Sequence, residues 1–385
     1  MSTLYPQHIY LCLLSLALYA AGTQPACSQN GTQNVPIYHI TKGGVSTTAK
    51  TKKIIEWGFD QPDTNKLRYN IARMEQAPFD GVVLAAYGLD SAQQPLNLAW
   101  KCWSRQAFTR EEFAGAVANL KATHFVKFTD NFLRLNVTPG DVDWFDDAGW
   151  AAICNNAGIA GWICSEGGLK GIMFDTEQYD KKNRPFSWSE LPAHEQHSFE
   201  QYRDQARLRG KEFGVALTKS KANLTILMTY ADSYQVLLEN APQPYSTLGL
   251  LPPFIDGMLD GTSPQTTFVD ALEPAYGAKD SATLLKLKGA VAAAGKFSLT
   301  PDVYRARMSV GFGLWLDKGW AENGWDPARI EKNYFQPDVF ETALASAMNL
   351  SDQYVWIYSE KIDWWKGIGV SPLYTRAIEQ ARKSP

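Results

Sequence analysis

Histidine and cysteine are both scarce: each occurs five times in 385 residues. The cysteines Cys12, Cys27, Cys102, Cys154 and Cys164 show neither zinc-like spacing nor a disulfide framework. Cys154 and Cys164 fall on one expected helix. Ten residues of helix separate them by about 15 Å, too far to bond, and buried thiols are the expectation. The segment His194-Glu195-Gln196-His197 spaces its histidines by three, not by the four of a zinc-binding H-E-x-x-H helix. It is read as a solvated loop, with no metal and no cofactor implied. Long basic runs are missing and the formal net charge is -3, so nucleic acid has no electrostatic footprint. No G-x-G-x-x-G or G-x-S-x-G is present, which removes the phosphate loop of an open doubly wound sheet and the nucleophile elbow of an α/β-hydrolase.

Aromatic side chains, by contrast, are plentiful: 13 Trp, 17 Tyr and 18 Phe. Most must be core, but flat apolar faces also suit the C–H faces of sugar rings. Near the N-terminus, residues 9–20 (IYLCLLSLALYA) are apolar. The run is short of the roughly 20 residues that span a bilayer and is followed by small and polar residues, as in a signal peptide. The expected division is a leader over 1–26, an irregular linker over 27–52 and a barrel domain over 53–385. Export to the periplasm or the extracellular space follows, with no transmembrane segment in the mature chain. Cys27 is a possible lipid-attachment point, although Gln24-Pro25-Ala26 lacks the apolar residue expected before it.

From Lys53 onward short β-rich runs alternate with helical stretches. Strands are expected at 54–60, 81–87, 124–130, 171–177, 224–230, 267–273, 308–314 and 354–360. Helices are expected at 63–76, with Leu67, Ile71 and Met74 on one face, at 198–218, and at 338–349. Ser198 with Gln201 three residues later forms a capping-box pattern. Eight strand–helix alternations with no second strand cluster indicate a single (β/α)8 barrel of the α/β class.

Active residues of such barrels come from the C-terminal ends of the strands. There the sequence offers Asp60, Asp130, Asp175 with Glu177, Glu273 and Glu360. Any one of them could instead cap the following helix, as Asp63 is expected to do. Asp175 and Glu177 are two apart and project to one face of a strand, their Cα atoms about 6.6 Å apart. Like charges at that spacing, with partial burial, raise one carboxyl's pKa and keep an acid protonated near neutral pH. Glu177 is read as the general acid and Asp175 as the group that orients it. Glu273 is preferred as nucleophile or base, with Glu360 close behind. A pair separated by roughly 5–5.5 Å would retain, and one at 6.5–9.5 Å would invert, the anomeric configuration. Trp57, Tyr179, Tyr230, Trp315, Trp356, Tyr358, Trp364 and Trp365 cluster near these ends as sugar-stacking candidates, and Asp60 is read as a substrate contact. For Trp57 and Trp356, barrel packing explains each ring at least as well.

Asp175-Thr176-Glu177 at the end of an apolar strand resembles the closing D-x-E of the chitinase-type glycoside hydrolase signature, D-x-x-D-x-D-x-E. In that family the final Glu is the acid and the preceding Asp assists a substrate N-acetyl group. Lys170 and Met173 occupy the two earlier Asp positions, so what the resemblance implies is a glycosidase-like barrel in general, acting on an oligo- or polysaccharide. Two other readings use the same cleft: a non-catalytic carbohydrate-binding barrel, and a lyase or isomerase with a carboxylate or Tyr230 as base.

Overall fold

The computed structural model describes residues 51–238 and 244–383. The expected leader, Cys27 and the expected linker up to residue 50 lie outside them. Eight strands run parallel: β1 (Lys53–Gly58), β2 (Gly81–Leu84), β3 (Phe132–Asn136), β4 (Gly171–Asp175), β5 (Thr225–Met228), β6 (Thr267–Asp270), β7 in two pieces (Met308–Val310 and Phe312–Trp315) and β8 (Tyr354–Ser359). β1 pairs with β2 on one side and β8 on the other. The first piece of β7 pairs with β6 and the second with β8, which closes the ring. Between the pieces, the Gly311 N–H donates to the Asp270 carbonyl at 2.9 Å, so pairing continues through the break. The main helices of the outer layer are α1 (Thr64–Met74), α2 (Ala114–Lys121), α3 (Asp147–Glu166), α4 (Phe199–Thr218), α5 (Leu251–Gly261), α6 (Ser281–Ala294), α7 (Pro337–Leu350) and α8 (Pro372–Ala381), with shorter helical segments in the loops. One follows each strand, and the chain is a (β/α)8 barrel.

Strand alternation sorts side chains into two cores. Ile55, Trp57, Val83, Phe132, Met173, Leu227, Val269 and Trp356 fill the barrel. Their neighbours Ile54, Val82, Leu133, Ile172, Ile226 and Val355 point outward to the helices. Gly313 makes the inner packing possible, because a Cβ there would stand 2.5 Å from the Trp356 ring. α4 starts on the expected capping box, with both reciprocal Ser198–Gln201 bonds present. Cys154 and Cys164 share α3; Cys102 and Cys164 are buried, Cys154 partly so, and all three are free thiols.

One expected strand is displaced. Residues 124–130 form loop, and β3 begins at Phe132. The cause is Glu75, whose Oε1 accepts the backbone N–H groups of Val126, Lys127 and Phe128 at 2.8, 2.8 and 2.9 Å. Three successive donors turned to one carboxylate make an anion-holding turn incompatible with a ladder. Asp130 therefore sits before β3, at the base of the barrel, bonded by the Tyr354 hydroxyl at 2.7 Å, and not at the active end. Of the other strands, the seventh runs one residue past its expected end, to Trp315; the rest stop before theirs, leaving Glu177, Tyr230, Glu273 and Glu360 in the first turns beyond their strands. No helix among the described residues is long and apolar enough to cross a membrane.

Candidate active site

Arg134, the only charged residue of β3, sits between Leu133 and Leu135, which pack on the outer core. Alternation sends its side chain inward, toward the upper end of the barrel. Its Nη2 pairs with Asp175 Oδ2 at 2.8 Å and its Nε donates to Asn136 Oδ1 at 2.8 Å. The guanidinium lies over Trp57 at 5.0 Å and Trp100 at 5.1 Å, a cation between two indoles. Asp175 is fully buried and well supplied with donors. Besides Arg134 it accepts the Tyr179 hydroxyl at 2.8 Å, the Glu177 N–H at 3.2 Å and the Thr229 hydroxyl at 3.4 Å. Its role in this geometry is to fix Arg134, Tyr179 and the backbone of Glu177.

Past Asp175 the chain is pinned to the end of β5. The Thr176 hydroxyl donates to the Tyr230 carbonyl at 2.8 Å, and the Thr176 N–H donates to Thr229 Oγ1 at 3.1 Å. Across from it, Leu272 adopts a left-handed backbone with φ 40°, ψ 66°, and the Glu273 N–H donates to the Thr229 carbonyl at 3.0 Å. That unusual turn in a non-glycine residue delivers Glu273 to the Glu177 side of the mouth. Glu273 is buried, and its Oε1 accepts the Tyr230 hydroxyl at 2.9 Å. Burial pushes its carboxyl well above the usual range, and the nearby charges of Glu177 and Asp175 push it further; the Tyr230 hydrogen bond and Arg134 oppose them. Glu177 and Glu273 thus share one electrostatic cluster. The hydroxyls of Tyr179, Tyr230, Tyr276 and Tyr358 are all raised well above their ordinary values by burial first and neighbouring carboxylates second, so they act as donors.

Glu360 joins a different group. Trp320 Nε1 donates to it at 2.5 Å and the Tyr358 hydroxyl at 3.2 Å, while its N–H binds Asp317. Burial raises its carboxyl. Trp315 also bonds Asp317, at 2.6 Å, and packs beside Tyr276 and Tyr358. Trp356, wholly buried, donates to the Ala271 carbonyl at 2.8 Å and lies 5.1 Å from Trp57, so these two rings form the floor below the mouth.

Asp60, Trp364 and Trp365 are placed elsewhere. Glu56 lies between Ile55 and Trp57 on β1 and so faces outward, and Asp60 belongs with it. Burial lifts the Asp60 carboxyl from 3.8 to about 6, and burial followed by the charge of Asp60 lifts Glu56 well above its ordinary value. Asp60 accepts the Trp364 N–H at 2.8 Å, and its carbonyl accepts Trp365 Nε1 at 3.0 Å. Both indoles are buried in the outer core, Trp364 against Phe79 at 5.0 Å and Trp365 near Phe79 and Phe128. The loop after β8 therefore locks onto β1, and its tryptophans offer no stacking platform. Trp100 and Tyr179, 39% and 37% exposed with ring centroids 5.1 Å apart, keep part of their rings at the surface instead.

Arg134, Asn136, Trp100 and Tyr276 did not emerge from the sequence. The displaced third strand hid the first two; an arginine alternating with leucines in Phe132–Asn136 was the available signal. His194 and His197 lie in a loop, the first against the Leu191 carbonyl and the second stacked on Phe145. Among the described residues no three His, Cys, Asp or Glu side chains are placed to hold a metal ion.

No protein-family model matches the chain, and no curated protein matches it. Several solved structures share some likeness, and three of them illustrate it. One is a GH18 chitinase from the chitin utilization locus of Flavobacterium johnsoniae, at 10% identity and TM-score 0.36, covering 86% of this chain and 94% of that one. Another is a sugar phosphate isomerase/epimerase from Parabacteroides distasonis, at 10% identity and TM-score 0.37, covering 89% and 97%. The third is a GH5-4 broad specificity endoglucanase from an uncultured bacterium, at 14% identity and TM-score 0.44, covering 84% and 86%. The barrel assignment itself rests on the strand order and closure described above.

Proposed function

We propose that this chain is an exported glycoside hydrolase in which Glu177 and Glu273 are the acid/base pair. The observation that carries the reading is the position of Glu273: buried beside Glu177 at the C-terminal end of the barrel, with one carboxyl oxygen occupied by Tyr230. With Oε1 accepting that hydroxyl, the proton of the neutral acid resides on Oε2. A proton kept there near neutral pH is what a glycosidic oxygen needs as its bond to the anomeric carbon breaks. Glu177, more open to solvent, then attacks the anomeric carbon or activates a water. This exchanges the roles that strand position alone suggests, because burial rather than reach decides which acid holds the proton.

Arg134, fixed by Asp175 and two indoles, holds positive charge beside the pair and keeps Asp175 from adding a third unpaired anion. The raised tyrosine hydroxyls are donors in this setting, which favours hydrolysis over a Tyr230-based elimination. The apolar run 9–20 supports export. The test is release of reducing ends from mixed polysaccharides and of the phenol from aryl glycosides. Turnover by the parent chain that falls by about a hundredfold or more in Glu177→Gln and Glu273→Gln supports the reading. Sugar binding without turnover by the parent would replace it with a carbohydrate-binding barrel, and an unsaturated product would replace it with a lyase.

A further inference from the structure

Beside the mouth, an antiparallel hairpin (Tyr87–Leu89 with Pro95–Asn97) leaves the top of β2. A cavity of about 390 Å³ lies between this hairpin, the start of α1 and α2. That volume falls within the range of small-molecule sites, roughly 300–1,000 Å³. Tyr87 and Leu89, 45% and 49% exposed, line it from the hairpin. The polar lining includes Asn65, Gln93, Glu111 and Glu112, and the lining set contains no Lys or Arg. Gln93 is held at the hairpin tip with φ 58°, its N–H on the Asp90 carbonyl at 2.9 Å.

We infer that this cavity is a second sugar-binding position, which takes a neutral pyranose unit of the chain whose scissile bond lies between Glu177 and Glu273. The inference rests on the hydrolase reading for its substrate class. An aromatic ring with an adjoining leucine gives an apolar wall for the C–H face of a sugar, and amides and carboxylates match its hydroxyls. Without a lining cation and with several carboxylates, the cavity disfavours an anionic sugar. Tyr87 leads toward the mouth: its hydroxyl accepts Asn97 Nδ2 at 3.3 Å, three residues before Trp100. Trp100 follows the hairpin directly, covers the other face of Arg134 and packs on Tyr179, whose hydroxyl reaches Asp175. Tyr87, Asn97, Trp100 and Tyr179 thus lead from the cavity toward Asp175, as in a cleft that grips a chain beyond the bond it cuts.

The test is calorimetric titration of the full chain carrying Glu273→Gln, which spares the probe from cleavage, with cello- and chito-oligosaccharides from monomer to hexamer. Affinity is expected to rise with length. Adding Tyr87→Ala or Gln93→Ala should weaken hexamer binding about tenfold, as truncating an anchor does, with Tyr69→Ala on the exposed face of α1 as the neutral control. Equal hexamer affinity with and without Tyr87 would overturn the second position, even if the parent cuts glycosides. Length-dependent binding that Tyr87→Ala removes, in a protein whose parent cuts nothing, would keep the position and overturn the hydrolase reading. Tighter binding of oligogalacturonate than of the neutral series would overturn the assignment to neutral sugars.

Discussion

Replacing Tyr230 by Phe deletes one oxygen, and in this structure that oxygen donates to Glu273 Oε1 at 2.9 Å. The hydroxyl stabilises the ionised carboxylate more than the neutral acid, so its loss favours the protonated form. A hydrogen bond to a charged group contributes roughly 1.5–3 kcal/mol. With about 1.4 kcal/mol per factor of ten, the ionisation constant of Glu273 should fall about ten- to hundredfold. Little discount for solvent is needed, since Glu273 is only 8% exposed. If Glu273 is the general acid, the alkaline limb of kcat/KM against pH reports its ionisation. The limb in Tyr230→Phe should move to higher pH, while Tyr234→Phe, which packs on Tyr230 at 4.9 Å, leaves it in place. An alkaline limb that stays fixed or moves to lower pH in Tyr230→Phe would refute the reasoning.

The remaining expectations concern stability. Arg134→Met leaves Asp175 buried without its cation and should cost about 3–5 kcal/mol by urea unfolding, with Asp175→Asn on top recovering part of the loss. Gly210→Ala drives a methyl to 2.0 Å from the Phe254 carbonyl where α4 meets α5, and should cost at least about 1–3 kcal/mol; Gly115→Ala on α2 meets nothing within 4 Å and should gain up to about 1 kcal/mol. Asp60 has a folded pKa raised from 3.8 to about 6. Its contribution to stability is present in full below pH 3.8 and is lost as pH rises toward 6, so Asp60→Asn should flatten that stretch of the Tm–pH curve.

The fold was legible because its signal is repetitive. Seven of the eight strands lie where the apolar runs are, and α4 starts at its capping box. The third strand was lost to a long-range contact, Glu75 drawing in three N–H groups from some fifty residues away, which no local pattern encodes. That one displacement also concealed Arg134, and with it the ion pair that occupies Asp175. Glu177 and Glu273 were legible as acids near strand ends. Their relative burial was not, since it depends on the left-handed turn at Leu272 and on Tyr230. Trp364 and Trp365 show the converse: a loop on the active face of a barrel can turn its rings outward into the layer beneath the helices.

The division of labour between the two glutamates is tested most directly by leaving-group dependence. A dinitrophenyl glycoside departs without protonation, whereas a methylphenyl glycoside needs an acid. Glu273→Gln should lose far more activity on the second than on the first, and Glu177→Gln should lose both alike. Equal losses on the two substrates in Glu273→Gln would contradict its role as the proton donor.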